Sequence, residues 1–313
     1  MLSSASMKSE AGLREIVDDA RVYLEARATA AAVEVLAEAY EALCGSEWAL
    51  RQAVELLDAC YFQLWLEKSH AEAASALDLI FKLAGGRSFP DRGIDAGIFE
   101  CYKRALVLTG SSPIPLIRYY RHQNLVRLFA LTQGVEGDTA ECGCARGLSS
   151  MELCLAIGRT EPEWRGEGFH IFDSFEGLSE PQAQDRDVSG IDAAEAARIR
   201  SMMHRGNMAF PLEQVREVFQ AYPGMTFHPG WIPDSFAALP ERRYRFVHVD
   251  VDLYAPTLAA FRYFFPRLEQ GGMIVTDDYN WPGGRKAVDE FCSISGLRAR
   301  FTDTNQAYLT REG

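Results

Sequence analysis

Apolar positions follow two different rhythms along the 313-residue chain. From about residue 12 to residue 108 they recur at i, i+3, i+4 and i+7. Val33, Leu36, Ala37 and Tyr40 form one such set, and Val54, Leu57, Cys60, Tyr61 and Leu64 another. That spacing lays an apolar stripe along one side of a helix. Breaks at Gly45-Ser46, at 67–70 and at 85–90 divide the stretch into four or five helices without a strand. Ser46 stands where a hydroxyl would cap the helix that follows it. There is no repeat signature, so a small helical bundle is expected. Pro113 and Pro115 mark a joint, and the segment SSPIPLIRYYRHQNLVRLFALTQ leads on from it as a helix.

Beyond that joint the rhythm changes. Short apolar or β-branched runs end in polar groups: GDTAECGCA, GFHIFDSF, MTFHPGW, YRFVHVDVD and GGMIVTDDY. Amphipathic helical stretches separate them, among them SSMELCLAIGR, LEQVREVFQAY, TLAAFRYFFPRL and GRKAVDEFCS. Strands alternating with helices predict an α/β architecture with a doubly wound, mostly parallel sheet. The expected organisation is a helical N-terminal domain over 1–110 and an α/β domain over 111–313.

Composition narrows the function classes. Hydrophobic residues make up 48% and charged residues 24%, the balance of an ordinary globular chain. The net charge is −12 with no Lys/Arg run, which argues against duplex nucleic-acid binding. The acidity is spread evenly, with −6 in residues 1–110 and −6 in the remainder. No apolar run approaches the roughly 18–20 residues that span a bilayer, and the first residues lack a signal-like apolar core. Seven scattered cysteines without a CxxC pair fit neither a zinc ribbon nor a disulfide framework. A cytoplasmic protein with reduced thiols is expected.

Carboxylates gather where the runs end, at Glu141, Asp173, Asp250, Asp252, Asp277 and Asp278. In doubly wound sheets ligands sit at the carboxyl ends of the strands. Glu141 ends the first strand and is followed by Gly143, Arg146, Gly147 and Ser149, a turn that lets backbone approach a ligand before a Ser-capped helix. Asp173, 32 residues downstream, ends the second strand and could accept from the two hydroxyls of a ribose. Capping the next turn is the plainer role for it. Gly230 and Trp231 follow the third strand, where an indole could cover a flat heterocycle or simply fill core. Asp250 and Asp252 close the fourth strand, and Asp277 and Asp278 close the fifth, 25 residues after Asp252. Carboxylates converging in one crevice repel each other, and a hard divalent cation such as Mg²⁺ resolves the conflict. The alternative is separate solvated caps. His248, inside the fourth strand, reads as structural before it reads as a base, and His170, His204 and His228 read the same way.

In order, ECGCARGLSS, IFDSFEGL, PLEQVREVF, FHPGWIPDSF, VDVDLYAPTLAAF, FPRLEQGGMIVTDDY and GRKAVDEF resemble the macrocin O-methyltransferase (TylF/MycF-type) family of natural-product sugar methyltransferases. The resemblance covers about 135–291 and implies a Rossmann-like class I methyltransferase sheet. It implies S-adenosylmethionine and Mg²⁺ as cofactors and a small-molecule acceptor. From the composition neither membrane nor nucleic acid is an expected partner, and exposed stripes of the helical half burying against another subunit would make a homodimer or higher homo-oligomer. By the resemblance, Asp252, Asp277 and Asp278 are the metal carboxylates. Glu141, Gly143, Arg146, Gly147 and Ser149 lie in the first cofactor motif, and Asp173 with Ser174 in the ribose motif. Gly230 and Trp231 lie on the adenine side. Asp250, the acid preceding the metal ligand, joins the cofactor-contacting set. Two positions depart from the family pattern: Ala145 replaces a tryptophan and Val251 a glycine. The polar stretch 179–211 is expected to be a mobile lid over the acceptor.

The expected activity is methyl transfer to a hydroxyl of a specialised metabolite, with Asp252 as the first candidate base and His248 the second. Transfer to a carboxylate or to a nitrogen of a peptide-derived scaffold is an alternative, as is a non-catalytic S-adenosylmethionine-binding scaffold. The strings G-x-x-x-x-G-K-[ST] and G-x-G-x-x-G are missing, which counts against other nucleotide enzymes on such a sheet.

Overall fold

The structure is a computed structural model describing residues 9–66, 72, 75–76, 79–80, 83, 95–111, 116–189, 193–237 and 239–312. The sequence breaks at 67–70 and 85–90 and the Pro113/Pro115 joint lie outside these residues. The chain divides into two compact units. One comprises Met1–Leu106 with Ser111–Gln123, the other Val107–Gly110 with Asn124–Gly313.

The first unit is helical, without a strand among its described residues. It contains α1 (Glu10–Glu25), α2 (Thr29–Glu38), α3 (Tyr40–Leu43), α4 (Glu47–Leu66), most of α5 (Ala96–Thr109) and the first half of α6 (Leu116–Ala130). Ser9 caps α1, its Oγ accepting from Gly12 N–H at 3.0 Å. Ser46 caps α4 as its position predicts, accepting from Ala49 N–H at 3.3 Å. Val54, Leu57, Cys60, Tyr61 and Leu64 are all buried, so one stripe of α4 is continuous. The stripe through Val33 and Leu36 is not: α2 ends at Glu38, the helical phase resets, and Ala37 faces solvent.

The second unit is built on a seven-stranded sheet: β1 (Asp138–Cys142), β2 (Phe169–Asp173), β3 (Thr226–Pro229), β4 (Tyr244–Val249), β5 (Leu268–Thr276), β6 (Arg300–Phe301) and β7 (Ala307–Thr310). Their order is β3-β2-β1-β4-β5-β7-β6. The five strands read from the sequence are all present and mutually parallel. The antiparallel pair β6–β7 was not anticipated, because two and four residues are too short to show a period. The helices α7 (Leu148–Thr160), α8 (Ala193–Met202), α9 (Leu212–Val218), α10 (Tyr254–Phe264) and α11 (Pro282–Ser295) complete the unit.

Register positions the site. Glu141 pairs with His248 across β1 and β4, and Cys142 with Val249. Neighbouring residues in register share a face of the sheet. Strands β1, β4 and β5 therefore end together and deliver their terminal acids to one edge. The order reverses between β1 and β4, which is where such sheets open a crevice.

One apolar cluster joins the sheet to α10 and α11, with Phe172, Tyr244, Phe261, Phe264, Ile274, Val288 and Leu309 buried in it. Phe264 is fully enclosed, its ring 4.9 Å from Tyr244, 5.3 Å from Phe236 and 5.5 Å from Phe172. Phe264→Ala is expected to destabilise this unit by about 3–5 kcal/mol, seen as a lower urea midpoint.

Candidate active site

Glu141 is the innermost of the strand-end acids. It is completely buried, and both oxygens are engaged within the protein. Oε1 accepts from Ser149 Oγ at 2.6 Å and from His248 Nδ1–H at 2.8 Å, and Oε2 accepts from Ser150 Oγ. Glu141 thus ties β1 to the start of α7 and to β4, and its contacts point inward rather than into the crevice.

His248 is equally enclosed, and its Nε2 makes an ion-pair contact with Asp277 Oδ1 at 3.2 Å. Burial alone would lower its proton affinity. The Asp277 and Glu141 carboxylates override that and hold its pKa well above the usual histidine value. The ring is fully enclosed, so it is not presented to an acceptor hydroxyl in the crevice. The structure thus places His248, the second candidate base, inside the scaffold against Glu141 and Asp277.

Asp277 continues the same line. Its Oδ1 accepts from Gln306 Nε2 at 2.7 Å, and Gln306 Oε1 accepts from Thr304 Oγ1 at 2.9 Å. Gln306 enters β7 and was missed from the sequence, since nothing local distinguishes it and the two partners are 29 residues apart.

Asp278 is the focus of the outer acids. Its Oδ2 accepts from Val251 N–H and Asp252 N–H, both at 2.8 Å, while Oδ1 is buried without a hydrogen-bond partner. Asp252 makes that cradle by adopting a left-handed backbone, φ 58°, a conformation Asp tolerates better than most residues. Burial, followed by the charges of Asp250 and Asp252, pushes the Asp278 carboxyl well up from the ordinary aspartate range. Ligand oxygens of Asp250, Asp252 and Asp278 lie within 4.8 Å of one another. Hard oxygen donors at this spacing, one of them orphaned, suit a divalent cation. Of the three expected metal carboxylates, Asp252 and Asp278 meet here and Asp250 completes the set. Asp277 instead groups with His248 and Asp250.

The glycine turn abuts these acids. Gly143 has φ 81°, and a Cβ there would fall 1.9 Å from the carbonyl oxygen of Asp250. Only glycine lets the two segments touch. Asp173 then orders the turn. Its Oδ2 accepts from Cys144 N–H at 2.7 Å and Ala145 N–H at 3.3 Å, and Oδ1 accepts from Phe175 N–H at 2.7 Å. A carboxylate offers about four lone-pair sites, so capacity remains on Oδ1 for an incoming hydroxyl. Gly147 opens α7 at φ 89°. Arg146 is exposed, its guanidinium 4.6 Å from the Phe210 ring. Ser174 shapes its own turn: Oγ donates to Gly177 O at 2.7 Å and accepts from Glu176 N–H at 3.1 Å. Gly230 N–H donates to Asp173 O at 2.9 Å. Trp231 is half-buried, donates through Nε1 to Gly177 O at 3.2 Å, and has the Arg205 guanidinium 5.2 Å from its ring. The indole is therefore at the crevice rim and not a core residue.

A parallel five-strand core closed by an antiparallel β7, with strand-end acids around a glycine turn, is a class I methyltransferase fold. The macrocin-O-methyltransferase (TylF) family model matches residues 115–309, and the chain belongs to that family. It is 34% identical over 171 residues to the 8-demethyl-8-(2,3-dimethoxy-alpha-L-rhamnosyl)-tetracenomycin-C 4'-O-methyltransferase of Streptomyces olivaceus, covering 53% of this chain and 62% of the relative. It is 30% identical over 177 residues to the mycinamicin III 3''-O-methyltransferase of Micromonospora griseorubida, covering 54% and 65%. The matched stretch thus spans less than two thirds of these relatives. Among solved structures it is similar to the O-methyltransferase NovP, with TM-score 0.50 and 26% identity over 62% of this chain and 80% of that one. No described helix is long and apolar enough to cross a membrane.

Crowding of acids at Asp278 predicts a stability trade. Without metal, Asp278→Asn is expected to raise the melting temperature at neutral pH, by roughly 2–4 °C for each kcal/mol of repulsion relieved. The sign follows from the raised folded-state pKa: the folded form binds the proton more tightly, so the wild-type penalty is present above that pKa and vanishes below the ordinary aspartate range. The gain should shrink as pH falls, and calorimetry in chelator across pH measures it.

Proposed function

We propose that the chain is an S-adenosylmethionine-dependent, Mg²⁺-assisted O-methyltransferase acting on a hydroxyl of a sugar-like or other natural-product acceptor. The observation that carries this reading is the contact of Gly143 with Asp250, which sets the cofactor-type turn directly against a cluster of three acids. The names of the relatives, all natural-product O-methyltransferases, support the same class.

The residues fit both groups. Asp173, with acceptor capacity left on Oδ1, and the side-chain-free positions Gly143 and Gly147 suit the nucleoside end of S-adenosylmethionine. Trp231 at the rim suits its flat base. S-adenosylmethionine supplies the electrophilic methyl group. Asp250, Asp252 and Asp278 would hold Mg²⁺, which supplies a lowered hydroxyl pKa and an oriented acceptor.

The chain's own groups do the rest. A neutral hydroxyl is a poor nucleophile at pH 7, so its proton must leave as the oxygen attacks in line with the sulfonium. Asp252, half-buried at the crevice edge, is positioned to take it. Asp278 fixes Asp252 through its backbone N–H, so the base is aimed by the main chain. The surrounding negative charge favours a cationic sulfonium. His248, Glu141 and Asp277 hold β1, β4 and β5 in mutual register behind these groups.

Asp252→Asn is expected to lower kcat by roughly 10²-fold or more, with circular dichroism and S-adenosylhomocysteine binding unchanged. Excess chelator should stop turnover and Mg²⁺ should restore it. Full activity of that variant, or of wild type in chelator, excludes the metal-assisted mechanism. Calorimetry should show saturable binding of S-adenosylhomocysteine, and no heat at millimolar ligand points instead to a non-catalytic scaffold.

A further inference from the structure

Asp185 lies in the polar stretch that follows β2, yet it is 2% exposed. Its Oδ1 accepts from Tyr254 N–H at 2.6 Å, and its Oδ2 accepts from Gln182 N–H at 2.7 Å. Tyr254 is the first residue of α10. The N-cap position before it is Leu253, whose side chain can accept nothing, and α10 has no cap from its own N-terminal segment. Asp185 supplies the missing cap from 69 residues away. Gly283, in the first turn of α11, makes room for it: a Cβ there would fall 1.9 Å from Asp185 Oδ1 and 2.8 Å from Tyr254 N.

An apolar contact grips the same place independently. Ile199 of α8 and Met203 just beyond it are buried with Leu253, and Leu178, Val188 and Trp281 pack around them. The stretch after β2 therefore holds the two residues that follow Asp252 by main chain and by side chain, and it holds Trp281, three residues after Asp278. Asp252 is the residue with φ 58°, a backbone state that persists where its surroundings hold it.

We propose that Asp185 is a positioning residue for the acidic cluster. By capping α10 it fixes the Asp252–Tyr254 turn, keeps the Val251 and Asp252 N–H groups on Asp278, and aims the Asp252 carboxylate at the cation position. Docking of the 179–189 stretch and assembly of the cation site are then one event. This inference rests on the metal-assisted reading above.

The test is Mn²⁺ binding followed by electron paramagnetic resonance, in wild type, Asp185→Ala, Asp185→Asn and the exposed neighbour variant Asp187→Ala. S-adenosylhomocysteine calorimetry and amide hydrogen exchange run alongside. Removing an outer group that orients a ligand costs roughly 10–100-fold in metal affinity. Asp185→Ala should weaken Mn²⁺ by about ten-fold or more, leave S-adenosylhomocysteine affinity within about two-fold, and speed exchange at Tyr254. Asp185→Asn keeps a carbonyl that can accept from Tyr254 N–H, so it should recover part of the affinity and remains informative if the alanine variant fails to fold. Asp187→Ala should match wild type. Wild-type Mn²⁺ affinity in either folded Asp185 variant whose Tyr254 amide exchanges faster than in wild type overturns the positioning role alone. Absence of Mn²⁺ binding by wild type overturns the metal-assisted reading and the positioning role with it.

Discussion

Three carboxylates brought within 4.8 Å, one of them fully buried, are the constraint to which the rest of the second unit answers. Like charges at that distance in a dry setting cannot all stay ionised without compensation. The protein compensates in part: two backbone N–H groups meet one oxygen of Asp278, and the turn that provides them is bent into a left-handed conformation to do so. The other oxygen is left unsatisfied. A native fold tolerates such a group where it serves function at the cost of stability.

Behind the cluster, a line of buried polar groups holds the strands that carry it. It runs from Ser149 and Ser150 through Glu141, His248 and Asp277 to Gln306. Each link bridges a different pair of elements: α7 to β1, β1 to β4, β4 to β5, and β5 to β7. His248 stands fully enclosed between the Glu141 and Asp277 carboxylates, which hold its pKa well above the usual histidine value, and removal of either carboxylate takes away a partner that the buried ring has at that place. The line therefore fixes the relative heights of the strand ends, and the outer acids inherit their spacing from it.

The same division of labour separates the glycine turn from its acids. Gly143 is glycine because the Asp250 carbonyl occupies the space a side chain would need. Asp173 organises the turn through backbone N–H groups before any ligand arrives. The cofactor-type turn and the acidic cluster are thus in van der Waals contact, which lets a methyl donor and an acceptor oxygen share one small space. Opposite them, the stretch after β2 closes on α10 through Asp185 and a small apolar cluster.

Much of this was legible in the order of residues. Short apolar runs located all five parallel strands, and period-3.6 patterns located the helices between them other than α8, because a strand covered on both faces is apolar throughout and a helix on a sheet buries one stripe. The acids at 141, 173, 250, 252, 277 and 278 announced the crevice because they interrupt apolar runs. What each acid does was decided only by the tertiary structure. Glu141 and Asp277 look the same as Asp252 and Asp278 along the chain, yet the pairing of Glu141 with His248 turns the first two inward and leaves the others at the edge. Nothing local shows that Gln306 meets Asp277 or that Asp185 meets Tyr254, since those partners lie 29 and 69 residues away. A sequence records which side chains are present and on which face of their own element they fall. Register, and contacts across loops, set which of them meet, and these depend on the packing of every element at once.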